Sequence, residues 1–257
     1  MEIIVIIIVS AAASLITLFS GFGLGTILTP VFALFFPVET AVALTGIVHL
    51  FNNLFKLTMF GRYADWKVIL RFGIPSMAGA ALGAVTLLMI SGLQPVTEYS
   101  VFGRTAVVHP VKLTIAMLMF YFSLTELLPL LQSYKPAKTS LPFGGLLSGF
   151  FGGLSGHQGA LRSAFLIQYG MTKERFLATG IVIACFVDGT RLSLYSERLL
   201  SSETLQHWNI LLAAVLSAFS GAYVGNRFLK KVTVTSVQRI VAVMLMVIAV
   251  GLAAGII

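Results

Sequence analysis

Two glycine-rich stretches carry the residues best suited to chemistry. The first reads Ser20-Gly21-Phe22-Gly23-Leu24-Gly25-Thr26. The second reads Gly152-Gly153-Leu154-Ser155-Gly156-His157-Gln158-Gly159-Ala160-Leu161-Arg162. Glycine lets a backbone approach a ligand closely. A helix starting just after such a break offers its free N–H groups and positive dipole end to an anion. Arg162, one turn past the second break, adds a full charge and forked donors that suit an oxyanion. The candidate anion-binding groups are therefore Gly23, Gly25 and Thr26 at the first break, and Ser155, Gly156, His157, Gln158, Gly159 and Arg162 at the second. Glycines also permit close helix packing, and that structural role competes at each of these positions.

A second polar set lies on regular periodicity. His49, Asn52, Asn53 and Lys56 recur at i, i+3, i+4 and i+7, which is one face of a helix. Asp188 and Arg191 are also three apart, and a shift of 135 residues superposes Asn53 on Asp188 and Lys56 on Arg191. Two cations on matching helices would flank one central cavity. Lys56 has a second reading, snorkelling toward the nearby helix end. Arg191 either contacts substrate, with Asp188 tuning it or carrying a coupling proton, or forms a structural pair with Asp188. His49 and Glu126, the latter near Pro129, are further proton-coupling candidates. Cys185, one turn before Asp188, either faces the cavity or fills space. His109 and His207 lie at span edges, where interfacial roles suffice. The single Cys excludes an internal disulfide, a cysteine metal cluster and a Cys-x-x-Cys pair, and four His lack ligand spacing, so no metal or other cofactor is expected. No phosphate-binding Walker-type loop is present, which argues against an ATP-driven pump.

These residues sit in an unusually apolar chain. Of 257 residues, 58% are apolar and 10% charged, against about 25% charged in soluble domains. Mean hydropathy is +0.97. A soluble globule, a disordered chain and a nucleic-acid binder are excluded despite the net charge of +8. The chain reads as an all-α polytopic membrane protein. Apolar runs at 3–19, 38–60, 68–90, 111–131, 176–195, 208–229 and 237–257 are long enough to cross or nearly cross a bilayer, whereas 27–36, 141–154 and 161–169 are short. Pro75 should kink its span. The start, Met1-Glu2, lacks the basic region of a cleavable signal. Whether the glycine-broken pairs cross fully or turn back at mid-depth is open at this stage.

Charge and repetition then set the organisation. Eleven of 17 Lys and Arg fall at Arg62, Lys67 and Arg71; Lys135 and Lys138; Lys173 and Arg175; and Arg227, Lys230, Lys231 and Arg239. If each broken pair leaves and returns on one side, these clusters share one face. By the positive-inside rule that face is cytoplasmic, and both termini are extracytoplasmic. Trp66, Gly79 and Gly83 are spaced like Trp208, Gly221 and Gly225, and Thr45-Gly46 matches Thr179-Gly180. The expected domains are a first repeat at 1–131, a cytoplasmic linker at 132–140 and a second repeat at 141–257. Each repeat is a broken or re-entrant hairpin plus three spans, so an odd number of crossings inverts the second. Inverted repeats with discontinuous helices are typical of secondary transporters, whose sites lie where the halves meet.

The duplicated unit, the break within 19–30 followed by a short apolar run, and its partner at 152–162 resemble the sulfite exporter TauE/SafE (TSUP) family of anion transporters over essentially the whole chain. The resemblance implies an inner-membrane carrier, usually an exporter, of small sulfur anions such as sulfite, thiosulfate or organosulfonates, with proton coupling. The expected function is alternating-access transport of such an anion, with the bilayer as environment and no nucleic-acid partner. Backbone N–H groups at the breaks, Arg162, Arg191 and Lys56, and the neutral donors Asn53, Ser155, His157 and Gln158 would form the site. An anion channel and a carrier for a carboxylate anion are alternatives, and a homodimer is compatible with the surface. A membrane enzyme using Ser155, His157 and Asp188 is a further class, for which the two-residue spacing of Ser155 and His157 gives no support.

Overall fold

Punctuation in the sequence sets the helix ends. In the computed structural model, which describes residues 2–20, 23–101, 104–128, 140–196, 207–228 and 234–256, each of the ten apolar runs is helical. The helices are α1 (Glu2–Ser20), α2 (Leu24–Ala33), α3 (Val38–Phe60), α4 (Trp66–Ser91), α5 (Pro110–Leu127), α6 (Leu141–Ser155), α7 (Gly159–Leu166), α8 (Lys173–Leu194), α9 (Trp208–Phe228) and α10 (Val234–Ala253). Asp65 caps α4 by accepting from the Lys67 and Val68 amides, and Thr172 caps α8 through the Arg175 amide. Gly156 ends α6 in the left-handed region at φ 82°, where a side chain would be strained. The linker with Lys135, Pro136 and Lys138, the pair Lys230 and Lys231, Pro129 and the Glu126 side chain lie outside the described residues.

Among the described residues four helices are long and apolar enough to cross a membrane: Val38–Tyr63, Trp66–Ser91, Lys173–Leu194 and Trp208–Arg227. Shorter apolar helices accompany them, and this is the architecture of a multi-pass membrane protein. The return helices α2 and α7, of 10 and 8 residues, rise only about 15 and 12 Å. Two features depart from the sequence reading. Where a simple kink at Pro75 was expected, α4 takes a π-helical turn at Ile69–Gly73, because Pro75 has no N–H to return to the carbonyl of Arg71. And the stretch between α4 and α5 forms an antiparallel hairpin, β1 (Thr97–Val101) and β2 (Arg104–Val108), with Thr97 opposite Val108.

Helix pairing is reciprocal between the two halves of the chain. The first helix of each broken pair packs against the other half: α6 against α4, and α1 against α9. Like helices also meet, α3 with α8 and α5 with α10. In the α4–α6 pair, Phe72, Ser76 and Ala80 place their carbonyls on Gly145, Gly149 and Gly153, while Leu146 and Phe150 place theirs on Gly79 and Gly83. Order is preserved along both chains, so the helices run parallel in backbone contact. The α1–α9 pair repeats the device, with Ala11 on Gly221, Leu15 on Gly225, and the Ser217 hydroxyl donating to the Ile7 carbonyl. Small residues at such crossings let two backbones approach without any side chain between them.

One end of the bundle is basic. Arg175 pairs with Asp65 at 3.5 Å, beside Arg62 and Lys67. Asn226, next to Arg227, donates to Met59 Sδ at the foot of α3. Trp66 and Trp208 stand exposed at the starts of α4 and α9, as amphipathic rings do at membrane interfaces. The hairpin covers the opposite end, where Tyr99 donates to the Ala254 carbonyl.

A β-carbon at Gly83 would overlap the Phe150 carbonyl and come within 2.8 Å of the Leu154 amide. Gly83→Ala is expected to destabilise the bundle by about 1–3 kcal/mol, whereas Gly189→Ala, which meets nothing within 4 Å, should be neutral or mildly stabilising. Melting temperatures of the two variants in one detergent check this, and equal melting would show that the α4–α6 contact is not tight.

Candidate functional site

The polar faces of α3 and α8 meet at the centre, and each helix carries a glycine ahead of its polar stripe, Gly46 one turn before His49 and Gly180 about two turns before Asp188. At Gly46 a β-carbon would lie 3.2 Å from Arg191 Cζ, and at Gly180 one would lie 3.3 Å from Arg162 Nε. Each Thr-Gly pair thus supplies a flat seat for one guanidinium. Asp188 is fully buried and shared by three partners. Its Oδ2 lies 2.5 Å from His49 Nδ1. Its Oδ1 accepts from Arg191 Nε at 3.0 Å and Gln158 Nε2 at 3.3 Å, and lies 2.9 Å from Arg191 Nη2. With Nδ1–H on the carboxylate, His49 presents Nε2 as an acceptor toward Asn53 Nδ2, 3.3 Å away. Burying a charge at this depth requires such a set of partners.

The two breaks face each other beside this carboxylate. A β-carbon at Gly25 would lie 2.9 Å from the Gly156 carbonyl, and one at Gly23 would lie 3.5 Å from His49 Nε2 and 3.9 Å from the Gly159 amide nitrogen. The N-terminal ends of α2 and α7 therefore converge at one place. Thr26 is buried in the first turn of α2, its amide bonded to the Gly23 carbonyl. Ser148 fixes the second break by donating to the Gln158 carbonyl, and Tyr195 donates to the carbonyl of Gly153.

Next to the meeting point is a small pocket that opens to solvent. His49, Asn53 and Lys56 of α3, Arg162 and Ser163 of α7, Thr17 of α1 and Gly180 of α8 form its polar wall, and leucines with Phe176 and Ile181 form the rest. The lining runs from His49 at mid-helix to Phe176 and Leu177 near the basic end of α8, so the pocket lies on the basic side of the breaks. All ten residues of α2 are buried, as are Phe32, Phe36, Leu44, Leu87 and Leu154 in the core toward the hairpin, and that side is shut.

Several expected residues come together here and others do not. Lys56 is buried, not snorkelling, and with the Asn52 amide oriented to satisfy its neighbours its Nζ lies 3.0 Å from Asn52 Oδ1. Asn52 in turn is tied to Ser14 and the Ala218 carbonyl. Arg191 does not line the pocket; it is sealed behind Asp188, with Nη1 donating to the Gly152 carbonyl at 3.3 Å. The expected pair of cavity-flanking cations on α3 and α8 is thus replaced by Lys56 and Arg162. Ser155 and His157 turn away: His157 Nδ1 lies 3.0 Å from the Ser155 carbonyl, and its ring stacks on Phe122 of α5. The Asp188 partners are His49, Arg191 and Gln158, so the described contacts assemble no Ser-His-Asp relay. Cys185 is half-buried and outside the pocket lining. Sequence reasoning passed over Thr17, although Ser10, Ser14 and Thr17 form a buried stripe at helical spacing in an otherwise apolar α1. It also took the Thr-Gly pairs for marks of duplication without seeing them as arginine seats.

Compared with known proteins, residues 6–252 match the sulfite exporter TauE/SafE family. No curated protein and no solved structure matches the chain significantly. A match that runs from α1 to α10, on a chain of apolar helices enclosing a polar centre, identifies this protein as a member of the sulfite exporter TauE/SafE family of multi-pass membrane transporters.

Proposed function

We propose that the chain is a secondary carrier that exports a small sulfur oxyanion or organosulfonate across the inner membrane by alternating access. The observation that carries this reading is a pocket under the N-terminal end of a half-helix, lined by Arg162 and Lys56 at membrane depth. Helix N-termini and a forked guanidinium both favour oxyanions. The pocket closed toward the hairpin and lined toward the basic end supports a carrier caught facing one side more than it supports a continuous pore.

The two halves act as inverted repeats in this reading. Reciprocal pairing of α1 with α9 and α4 with α6, the twin arginine seats at Gly46 and Gly180, and the facing half-helices support it. Exchange of the halves' conformations would close the Arg162 side and open the Arg191 side. The basic end is cytoplasmic by the positive-inside rule, which leaves both termini outside. His49 and Asp188 form the proton-coupling pair, since His49 reaches both the pocket and the buried carboxylate.

Arg162→Ala should weaken binding of sulfite or sulfoacetate by about 2 kcal/mol or more, roughly thirtyfold, in a protein that still inserts and melts cooperatively. Binding by thermal shift in detergent measures it, and unchanged affinity would place the anion elsewhere. His49→Gln keeps an N–H for Asp188 but cannot titrate. In proteoliposomes it should retain counterflow exchange and lose stimulation by a pH gradient; gradient stimulation equal to that of the unmodified protein would remove His49 from the coupling path.

A further inference from the structure

The charges around the pocket define its occupant more narrowly than the reading above, on which this step rests. Lys56 and Arg162 both line the pocket and both are buried. Each reaches a neutral amide: Lys56 Nζ lies 3.0 Å from Asn52 Oδ1, and Arg162 Nη1 lies 3.5 Å from Gln158 Oε1. The third central cation, Arg191, is already matched, because two of its nitrogens lie within 3.0 Å of Asp188 Oδ1. The other oxygen of Asp188 is taken by His49. The remaining ion pair, Arg175 with Asp65, lies at the basic end of the bundle and is partly exposed. Among the described residues no carboxylate forms an ion pair with Lys56 or Arg162.

Two like charges buried at membrane depth with no carboxylate in ion-pair contact each carry a large desolvation cost. A singly charged guest would leave one of them uncompensated. We propose that the pocket selects a small dianion over monoanions of the same size and shape. The fork of Arg162 takes an oxyanion head, and the Lys56 point charge answers the second negative charge. Lys56 is then the residue that sets charge selectivity, while Arg162 supports anion binding in general.

Matched pairs test this in the full-length protein: sulfate against methanesulfonate, and sulfoacetate against isethionate, at equal ionic strength and neutral pH. Affinity is read by thermal shift and by competition in proteoliposome exchange. The doubly charged member of each pair should bind about tenfold or more tighter. Lys56→Gln should erase that ratio by weakening the dianions about tenfold while leaving the monoanions within about twofold, and Lys56→Arg should restore it. Equal affinities within the pairs for the unmodified protein, or an equal loss of both members in Lys56→Gln, would overturn charge selection while leaving an anion site in place. Failure of every anion to bind would overturn the site itself and this inference with it.

Discussion

One buried carboxylate holds the centre of the molecule together. Asp188 neutralises Arg191 on its own helix, binds His49 across the α3–α8 contact and accepts from Gln158 of the second break. Without it Arg191 would be a bare cation in the apolar interior, α3 and α8 would lose a main polar tie, and the second break would lose an anchor. The cost of taking a carboxylate out of water is offset only because each of its oxygens meets charged or N–H partners. The other cations near the breaks are left free to act because this one residue absorbs Arg191 and no more.

Around that centre the glycines divide into two kinds. Gly79 and Gly83 of α4, Gly145, Gly149 and Gly153 of α6 and Gly221 of α9 are packing surfaces, each receiving a carbonyl of a parallel neighbour. Those at Gly23, Gly25 and Gly156 permit the breaks to approach each other. The first kind makes a rigid frame of the α4–α6 and α1–α9 pairs. The second kind leaves half-helices in the middle of that frame, and α7, with fewer buried residues than α2, is the looser of the two.

Much of this was legible in the residues. Runs of apolar sequence bounded by Pro37 and Gly61 fix α3 to the residue, and the clusters at Arg62–Lys67 and Lys173–Arg175 do meet at one end, through Arg175 and Asp65. The His49–Lys56 and Asp188–Arg191 faces are readable because a polar stripe in an apolar helix has one place to go. Which partner each would choose was not legible. Spacing alone gives Arg191 and Lys56 equal standing, and only the position of Asp188 between the helices shows that one is neutralised and the other is not. Ser155 and His157 read as site residues because they sit in the break, but Ser155 donates back to the Phe151 carbonyl, and past the left-handed turn at Gly156 the His157 ring stacks on Phe122. The hairpin went unnoticed because ten residues of alternating character between long apolar runs look like an ordinary connection.

The parallel contact of α1 with α9 also bears on how the chain is made. Ser217 donates to the carbonyl of Ile7 across 210 positions of sequence. Helix α1 therefore finds this backbone partner only when α9, synthesised much later, arrives. Until then the face of α1 that carries Ile7, Ala11 and Leu15 has to wait in the bilayer or against a helper protein. Biosynthesis of this transporter is thus a problem of delayed assembly: α1 inserts early, but its contact with α9 closes only after the segment between them has been translated.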